Sequence, residues 1–203
     1  SEESLLVDYL KKRISLKRNQ IYTCKAPLDL SYVFALENKC SALDKAQLFY
    51  PPFQPQSAAL SASGKSLLDE VQKKDLLLFY PYQSFDTFLQ LIREAAYDEN
   101  VLSIRITIYR MGNHRAKLMS YLMAAADNGK DVTVIMELKA RFDEANNILW
   151  SETLQDAGCR ILYGFEGYKV HSKICLITRR INGTLCYTTQ IGTGNYNAKT
   201  AGM

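Results

Sequence analysis

The sequence lacks most of the features that would mark a specialised chain. No apolar run reaches membrane-spanning length, so no segment reads as a transmembrane helix. The chain does not open with the basic-then-apolar pattern of a secretory signal. Cysteine is sparse and unpaired in pattern. Cys24, Cys40, Cys159, Cys175 and Cys186 are odd in number, widely spaced and form no CxxC, which argues against both a zinc site and a disulfide framework. Cysteines so placed read as small buried hydrophobes in a reducing compartment, and the expected location is the cytoplasm. There is no internal repeat and no low-complexity tract, and histidine occurs only at His114 and His171.

What is present is an ordinary globular composition, 47% hydrophobic and 23% charged over 203 residues, enough chain to bury a core. The charge is unevenly placed. Residues 1–100 hold 12 Lys/Arg against 13 Asp/Glu, and residues 101–203 hold 13 against 8, so the excess positive charge lies in the second half. A solvated basic face and a site for a phosphate-rich ligand both fit that bias.

The periodicity divides the chain near residue 75. Leu5, Leu6, Tyr9 and Leu10 recur at helical spacing and predict an opening amphipathic helix. Ile21–Tyr22 and Ala26–Pro27–Leu28 predict a short strand and a turn. The prolines of Tyr50–Pro55 exclude helix there. Ser57–Ser66, rich in Ser, Ala and Gly, predicts a linker. These signals divide the chain into a mixed region at residues 1–56 that does not read as a complete domain, a linker at 57–74, and an α/β lobe at 75–203. Within the lobe, Leu76–Phe79, Val101–Tyr109, Val132–Leu138, Cys159–Tyr163, Ile174–Thr178 and Leu185–Ile191 predict strands. Helices are predicted after Ser84, which can cap Phe85, Phe88, Leu89, Ile92 and Ala96, and over Lys117–Asn128 and Asn146–Asp156. Asn182–Gly183 predicts a hairpin turn. Strands alternating with helices predict a mixed sheet covered on both faces, with a ligand site beyond the carboxyl ends of the strands.

Several polar residues fall at that rim. In Lys169–Val170–His171–Ser172–Lys173, extended backbone would put the imidazole and the ammonium on one face. A neutral imidazole is a nucleophile toward phosphorus. A nearby ammonium lowers its proton affinity and stabilises phosphoryl oxygens. Alone, HxK is more often a half-buried histidine beside a surface lysine. Gly192–Thr193–Gly194–Asn195 adds two glycines that let backbone approach a ligand, and an amide, Asn195, that can orient an imidazole or a phosphate. HxK, a strand, a hairpin, a second strand and GTGN together resemble half of a phospholipase D-like site, with Thr178 standing where that pattern has Asp. Arg141 can clamp phosphate bidentately, and Asp143 and Glu144 could bind Mg2+ or cap the next helix. Arg110 ends another strand.

Five stretches in order carry a closer resemblance. They are Tyr80–Asp86, Ile108–Tyr109–Arg110, Glu137–Glu144, Lys169–Lys173 and Ile191–Ala201. From about Asp75 to Ala201 the chain resembles the first catalytic lobe of polyphosphate kinases of the phosphohistidine type, and Tyr22–Leu30 and Tyr50–Phe53 resemble the end of that family's preceding helical domain. The resemblance implies a phospholipase D-like α/β fold, a mixed sheet flanked by helices, and reversible transfer of the γ-phosphoryl of ATP to polyphosphate with Mg2+. It implies a phosphohistidine at His171, and phosphate and Mg2+ contacts at Arg110 and Arg141. A guanidinium carries donors only, so the arginines are expected to touch phosphate oxygens that hold the metal. Lys173 and Asn195 are added from the phospholipase D-like pattern, and His114 matches nothing.

The family's adenine-gripping domain and second catalytic histidine have no counterpart in this sequence. The expectation is therefore a fragment that is inactive or weakly active alone. The resemblance also implies a cytoplasmic enzyme, with peripheral attachment to the inner membrane and a homo-oligomeric full-length protein as options. Nucleic acid is not an expected partner. Two other readings stand beside it: a phospholipase D-like phosphodiesterase, and a non-catalytic module that binds polyanions.

Overall fold

The computed structural model describes residues 5–36, 39–51, 53–57, 64–110, 116–140 and 144–196. They form two compact units, Ser1–Pro52 and Phe53–Met203. The first unit contains α1 (Leu5–Arg13), a 3-10 turn at Arg18–Gln20, α2 (Tyr32–Leu36) and α3 (Ala42–Leu48). Ser41 caps α3 by accepting the Asp44 N–H on its Oγ. None of these helices contains a buried residue. The expected opening helix is present, whereas Ile21–Tyr22 pairs with no other strand.

The second unit is built on a five-stranded mixed sheet. Its strands are β1 (Val101–Ile108), β2 (Asp131–Met136), β3 (Arg160–Tyr163), β4 (Lys173–Ile181) and β5 (Thr184–Gly192), in the order β3-β2-β1-β4-β5. β1, β2 and β3 are parallel, while β4 runs antiparallel to both β1 and β5. The β4–β5 hairpin turns at Asn182 (φ 50°) and Gly183 (φ 81°), the pair of positive φ angles that a type I′ turn requires. The helices are α4 (Leu67–Lys73), α5 (Asp86–Tyr97), α6 (Ala116–Asp127) and α7 (Glu144–Asp156). They pack on one another in that order, α4 meeting β5, α5 meeting β1, α6 meeting β2 and α7 meeting β3.

The helices therefore form one layer. Beneath it lie Ile104, Ile106, Ile108, Val132, Val134, Met136, Cys175 and Ile177, with Phe88, Ile92, Ala95, Ala96, Met119 and Leu122 contributed from above. The other face of the hairpin is open, with Tyr187 and Ile191 exposed. Cover on both faces was expected, and among the described residues only one face has it. The crossovers β1–α6–β2 and β2–α7–β3 step the same way across the sheet. Crossovers of one hand then set both helices on the same side.

Two further expectations are corrected. The end of the 57–74 linker is the helix α4, and Leu67 and Leu68 are buried in the core. Ser66 caps α4 locally by accepting the Asp69 N–H, and a distant residue completes the helix start. Oε2 of Glu94, on α5, accepts the N–H groups of Leu67 (2.7 Å) and Leu68 (3.2 Å), placing a carboxylate at the helix amino terminus. Leu76–Phe79 is not a strand, because it has no neighbouring strand to pair with. Leu77 and Phe79 are exposed, and Phe79 stacks on Tyr82 with ring centroids 5.3 Å apart.

One buried cation ties the layers together. Arg179 on β4 is almost fully buried, and its Nη2 lies 3.0 Å from Asp69 Oδ1 on α4 and 2.8 Å from Asp98 Oδ2 after α5. Arg179→Met strips both carboxylates of their partner. Asp69 remains more than half exposed, so the expected loss sits at the low end for a broken buried pair, ~3 kcal/mol. Urea denaturation monitored by circular dichroism would measure it, and an unchanged midpoint would contradict this role.

Candidate active site

The strand directions bring the chemically active residues to one rim. β1, β2 and β3 end there in Ile108, Met136 and Tyr163. Because β4 is antiparallel to β1, it starts at that same rim, and β5 returns to it, with Lys173 opposite Gly192. His171 precedes β4, and the antiparallel direction of that strand brings it round beside the residues that follow β1.

Tyr109 is the centre of the arrangement. Its ring meets the His171 imidazole edge to face, with centroids 4.6 Å apart and an interplanar angle of 76°. Lys173 Nζ sits 5.2 Å and Arg110 Cζ 5.8 Å from the Tyr109 centroid, both within cation–π range. One phenol ring thus gathers an imidazole, an ammonium and a guanidinium. His171 is exposed, whereas Lys173 is 5% exposed. Lys173 Nζ donates to the His171 carbonyl oxygen. Loss of solvent, and secondarily the charge of Arg110, hold Lys173 below the ordinary lysine value.

The glycine-rich turn closes against the same lysine. A Cβ placed on Gly192 would stand 3.1 Å from Gln190 Nε2, the end of a flexible side chain, and 3.5 Å from Lys173 Cβ, an ordinary van der Waals contact. Tyr196 anchors the turn. Its ring stacks on Phe88 at 4.8 Å and its hydroxyl donates to Gln190 Oε1 at 2.6 Å, and burial pushes its pKa up. Asn195 is half-buried, and its Oδ1 has no hydrogen-bond partner. Arg141, Asp143 and His114 lie outside the described residues, as do Asn197–Ala201, while Glu144 opens α7. Thr178 is half-buried in β4 opposite Ser103, away from the rim.

Besides Tyr109, three residues of the rim carry no role assigned from the sequence. Glu137, 5% exposed, follows β2 and accepts the Val170 N–H on Oε2 and the Lys139 N–H on Oε1, each at 2.9 Å. Asn147, fully buried on α7, donates from Nδ2 to the carbonyls of Tyr109 (3.0 Å) and Glu137 (2.8 Å), joining the ends of β1 and β2. Thr107 donates from Oγ1 to the Ser172 carbonyl (2.7 Å) and accepts the Ile174 N–H (3.0 Å). A polar residue directly after a buried strand was the available signal for Glu137. Nothing local marked Asn147 or Thr107.

The described residues contain no group of three His, Cys, Asp or Glu side chains able to hold a metal, and Arg110 offers only donors. Among the described residues no protein cage for Mg2+ exists, though one or two carboxylates and substrate phosphates suffice to hold that ion. A groove of about 570 Å3 between α5 and α6, lined by Asp86, Arg93, Tyr97, Lys117 and Tyr121 among others, contains none of the rim residues. The site is an open rim, and no described helix is long and apolar enough to cross a membrane.

The depressed Lys173 has a consequence for stability. Between its folded pKa and the unfolded 10.5, the unfolded chain binds the extra proton, so stability rises with pH across that window. Wild type should gain on Lys173→Met as pH rises toward 10.5, read from denaturation midpoints at stepped pH. A difference that stays flat would refute the buried, penalised ammonium.

Known proteins resemble this chain in sequence and in fold. The sequence profile described as polyphosphate kinase C-terminal domain 1 matches residues 66–203. The chain is 41% identical over 195 residues to a polyphosphate kinase of Staphylococcus epidermidis, covering 96% of this chain and 26% of that protein. It is 42% identical over 196 residues to one from Neisseria meningitidis serogroup A, covering 96% and 28%. The crystal structure of polyphosphate kinase from Porphyromonas gingivalis superposes with a TM-score of 0.64 at 36% identity, covering 78% of this chain and 28% of that one. The chain thus spans about a quarter of the length of the curated relatives it matches. On the profile match and these relatives, the chain belongs to the polyphosphate kinase family.

Proposed function

We propose that this chain supplies the nucleophile side of a phosphoryl-transfer centre that moves the terminal phosphoryl group of ATP to polyphosphate, and back, through a phosphohistidine at His171. The observation that carries the reading is the grouping of His171, Lys173 and Arg110 around Tyr109 at one strand-end rim. An imidazole nitrogen of His171 attacks the γ-phosphorus, the bond to the bridging oxygen breaks, and ADP leaves. A terminal oxygen of polyphosphate then attacks the same phosphorus and displaces the imidazole. Lys173 and Arg110 face the charge that develops on the phosphoryl oxygens. The unpartnered Oδ1 of Asn195 is an acceptor suited to orienting the imidazole.

Arg141 joins Arg110 in this reading as a bidentate phosphate contact. Mg2+ belongs with the nucleotide and polyphosphate oxygens in this reading, as a hard cation that takes oxygen ligands. Cytoplasmic location fits the need for ATP. The remaining parts of the centre are assigned to portions of the relatives' length that this chain does not span.

Full-length protein incubated with γ-labelled ATP and Mg2+ should acquire an acid-labile, alkali-stable phosphoryl group on the peptide containing His171. His171→Ala should abolish it. Release of product from a generic phosphodiester, without any such adduct, would favour a phosphodiesterase instead. Arg110→Ala should slow labelling by about 100-fold, the scale for removing one preorganised charge-stabilising donor. Arg110→Lys should recover it only in part, because the planar fork is lost. Rapid-quench labelling would measure both, and wild-type rates in Arg110→Ala would remove Arg110 from the site.

A further inference from the structure

The backbone on either side of His171 is held by side chains and not by the β-ladder. The pairing of β1 with β4 reaches Ile106–Cys175 at this end, and that of β4 with β5 reaches Lys173–Gly192. His171 lies beyond both. On its amino-terminal side, the Val170 N–H is taken by Glu137 Oε2 from the end of β2. On its carboxyl-terminal side, the Ser172 carbonyl and the Ile174 N–H are both taken by Thr107 Oγ1 from β1. A buried carboxylate needs compensation for its lost solvent, and Glu137 receives it from two backbone N–H groups, one of them next to His171. Lys169 Nζ adds a contact to the Lys139 carbonyl at 3.3 Å, on the loop that Glu137 also grips.

We propose that Glu137 and Thr107 form a two-point clamp that sets the position of the His171 imidazole against Tyr109, making them positioning residues for phosphoryl transfer. The inference rests on His171 being the nucleophile. The clamp acts through the backbone of residues 170, 172 and 174 and touches no substrate. Its contribution is to hold the attacking nitrogen in line, where a displacement of about 1 Å costs on the order of 100-fold in rate. Glu137→Gln leaves one acceptor oxygen for two N–H donors and turns an amide N–H toward the other. Thr107→Val is near-isosteric and removes both hydroxyl bonds, whereas Thr107→Ser keeps them.

The test uses the full-length protein. Single-turnover labelling of His171 at saturating ATP should fall about 100-fold in Glu137→Gln and about tenfold in Thr107→Val, a misplacement effect, with the KM for ATP within about twofold of wild type. Thr107→Ser should label at close to the wild-type rate. Amide hydrogen exchange at Val170 and Ile174, measured without nucleotide, should be slow in wild type, accelerated at Val170 in Glu137→Gln and at Ile174 in Thr107→Val. Unchanged labelling in folded variants would overturn the proposal, as would a loss expressed wholly in KM. If Glu137→Gln does not fold, the Thr107→Val and Thr107→Ser pair decides. Failure of wild-type His171 to label would remove the proposed function, and the exchange data tell that apart from failure of the clamp. Exchange at Val170 and Ile174 as slow in the variants as in wild type would overturn the clamp itself.

Discussion

The antiparallel entry of β4 beside β1 is the constraint on which the rest of the site depends. In a sheet of parallel strands joined by helices, each strand offers its carboxyl end to the ligand rim. A residue that precedes a strand would lie at the opposite edge. By running β4 against β1, the chain puts His171, which precedes a strand, at the edge where Tyr109, Arg110 and Glu137 follow theirs. The tight Asn182–Gly183 turn then returns β5 to the same place, delivering the glycine-rich segment within van der Waals reach of Lys173.

The buried polar groups of the second unit divide the labour by their partners, Glu137 and Asn147 at the rim and Arg179 at the opposite edge of the sheet. Arg179 has two carboxylates, and Glu137 has two backbone N–H donors. Asn147 bridges two carbonyls. Each locks one element to another and so offsets part of its desolvation. Lys173 differs. It is buried beside another cation, with a carbonyl and an aromatic face as its company, and its proton affinity is lowered. Such an arrangement costs stability and favours an incoming anion. The proposed phosphoryl transfer would use that preference for phosphate oxygens.

Periodicity found most of the elements, with strand and helix bounds within a few residues over 101–192, because their apolar residues repeat at 2.0 or 3.6 and face one core. It failed at Leu67–Lys73, whose serine-rich approach reads as linker and whose helix start is completed by Glu94, 27 residues away. It failed also at Leu76–Phe79, where apolar residues met no partner strand. The site was legible in part. Motif spacing singled out His171, Lys173 and Asn195, and the family resemblance added Arg110, while Tyr109 and Glu137 sat inside quoted motifs with no role attached. Thr107 and Asn147 look like any strand threonine and helix asparagine until their partners, 65 to 67 and 10 to 38 residues distant, are known.

By itself, then, the sequence determined what is local or patterned. That includes the alternation of strands and helices, the hairpin turn at Asn182–Gly183, the order of the motifs and the family they belong to. Tertiary structure alone decided which face the helices cover, which charges are buried, and that a single tyrosine ring collects His171, Lys173 and Arg110. The reason is that burial and contact follow from strand order and register. These are set by pairings far apart along the chain, and no local spacing encodes them.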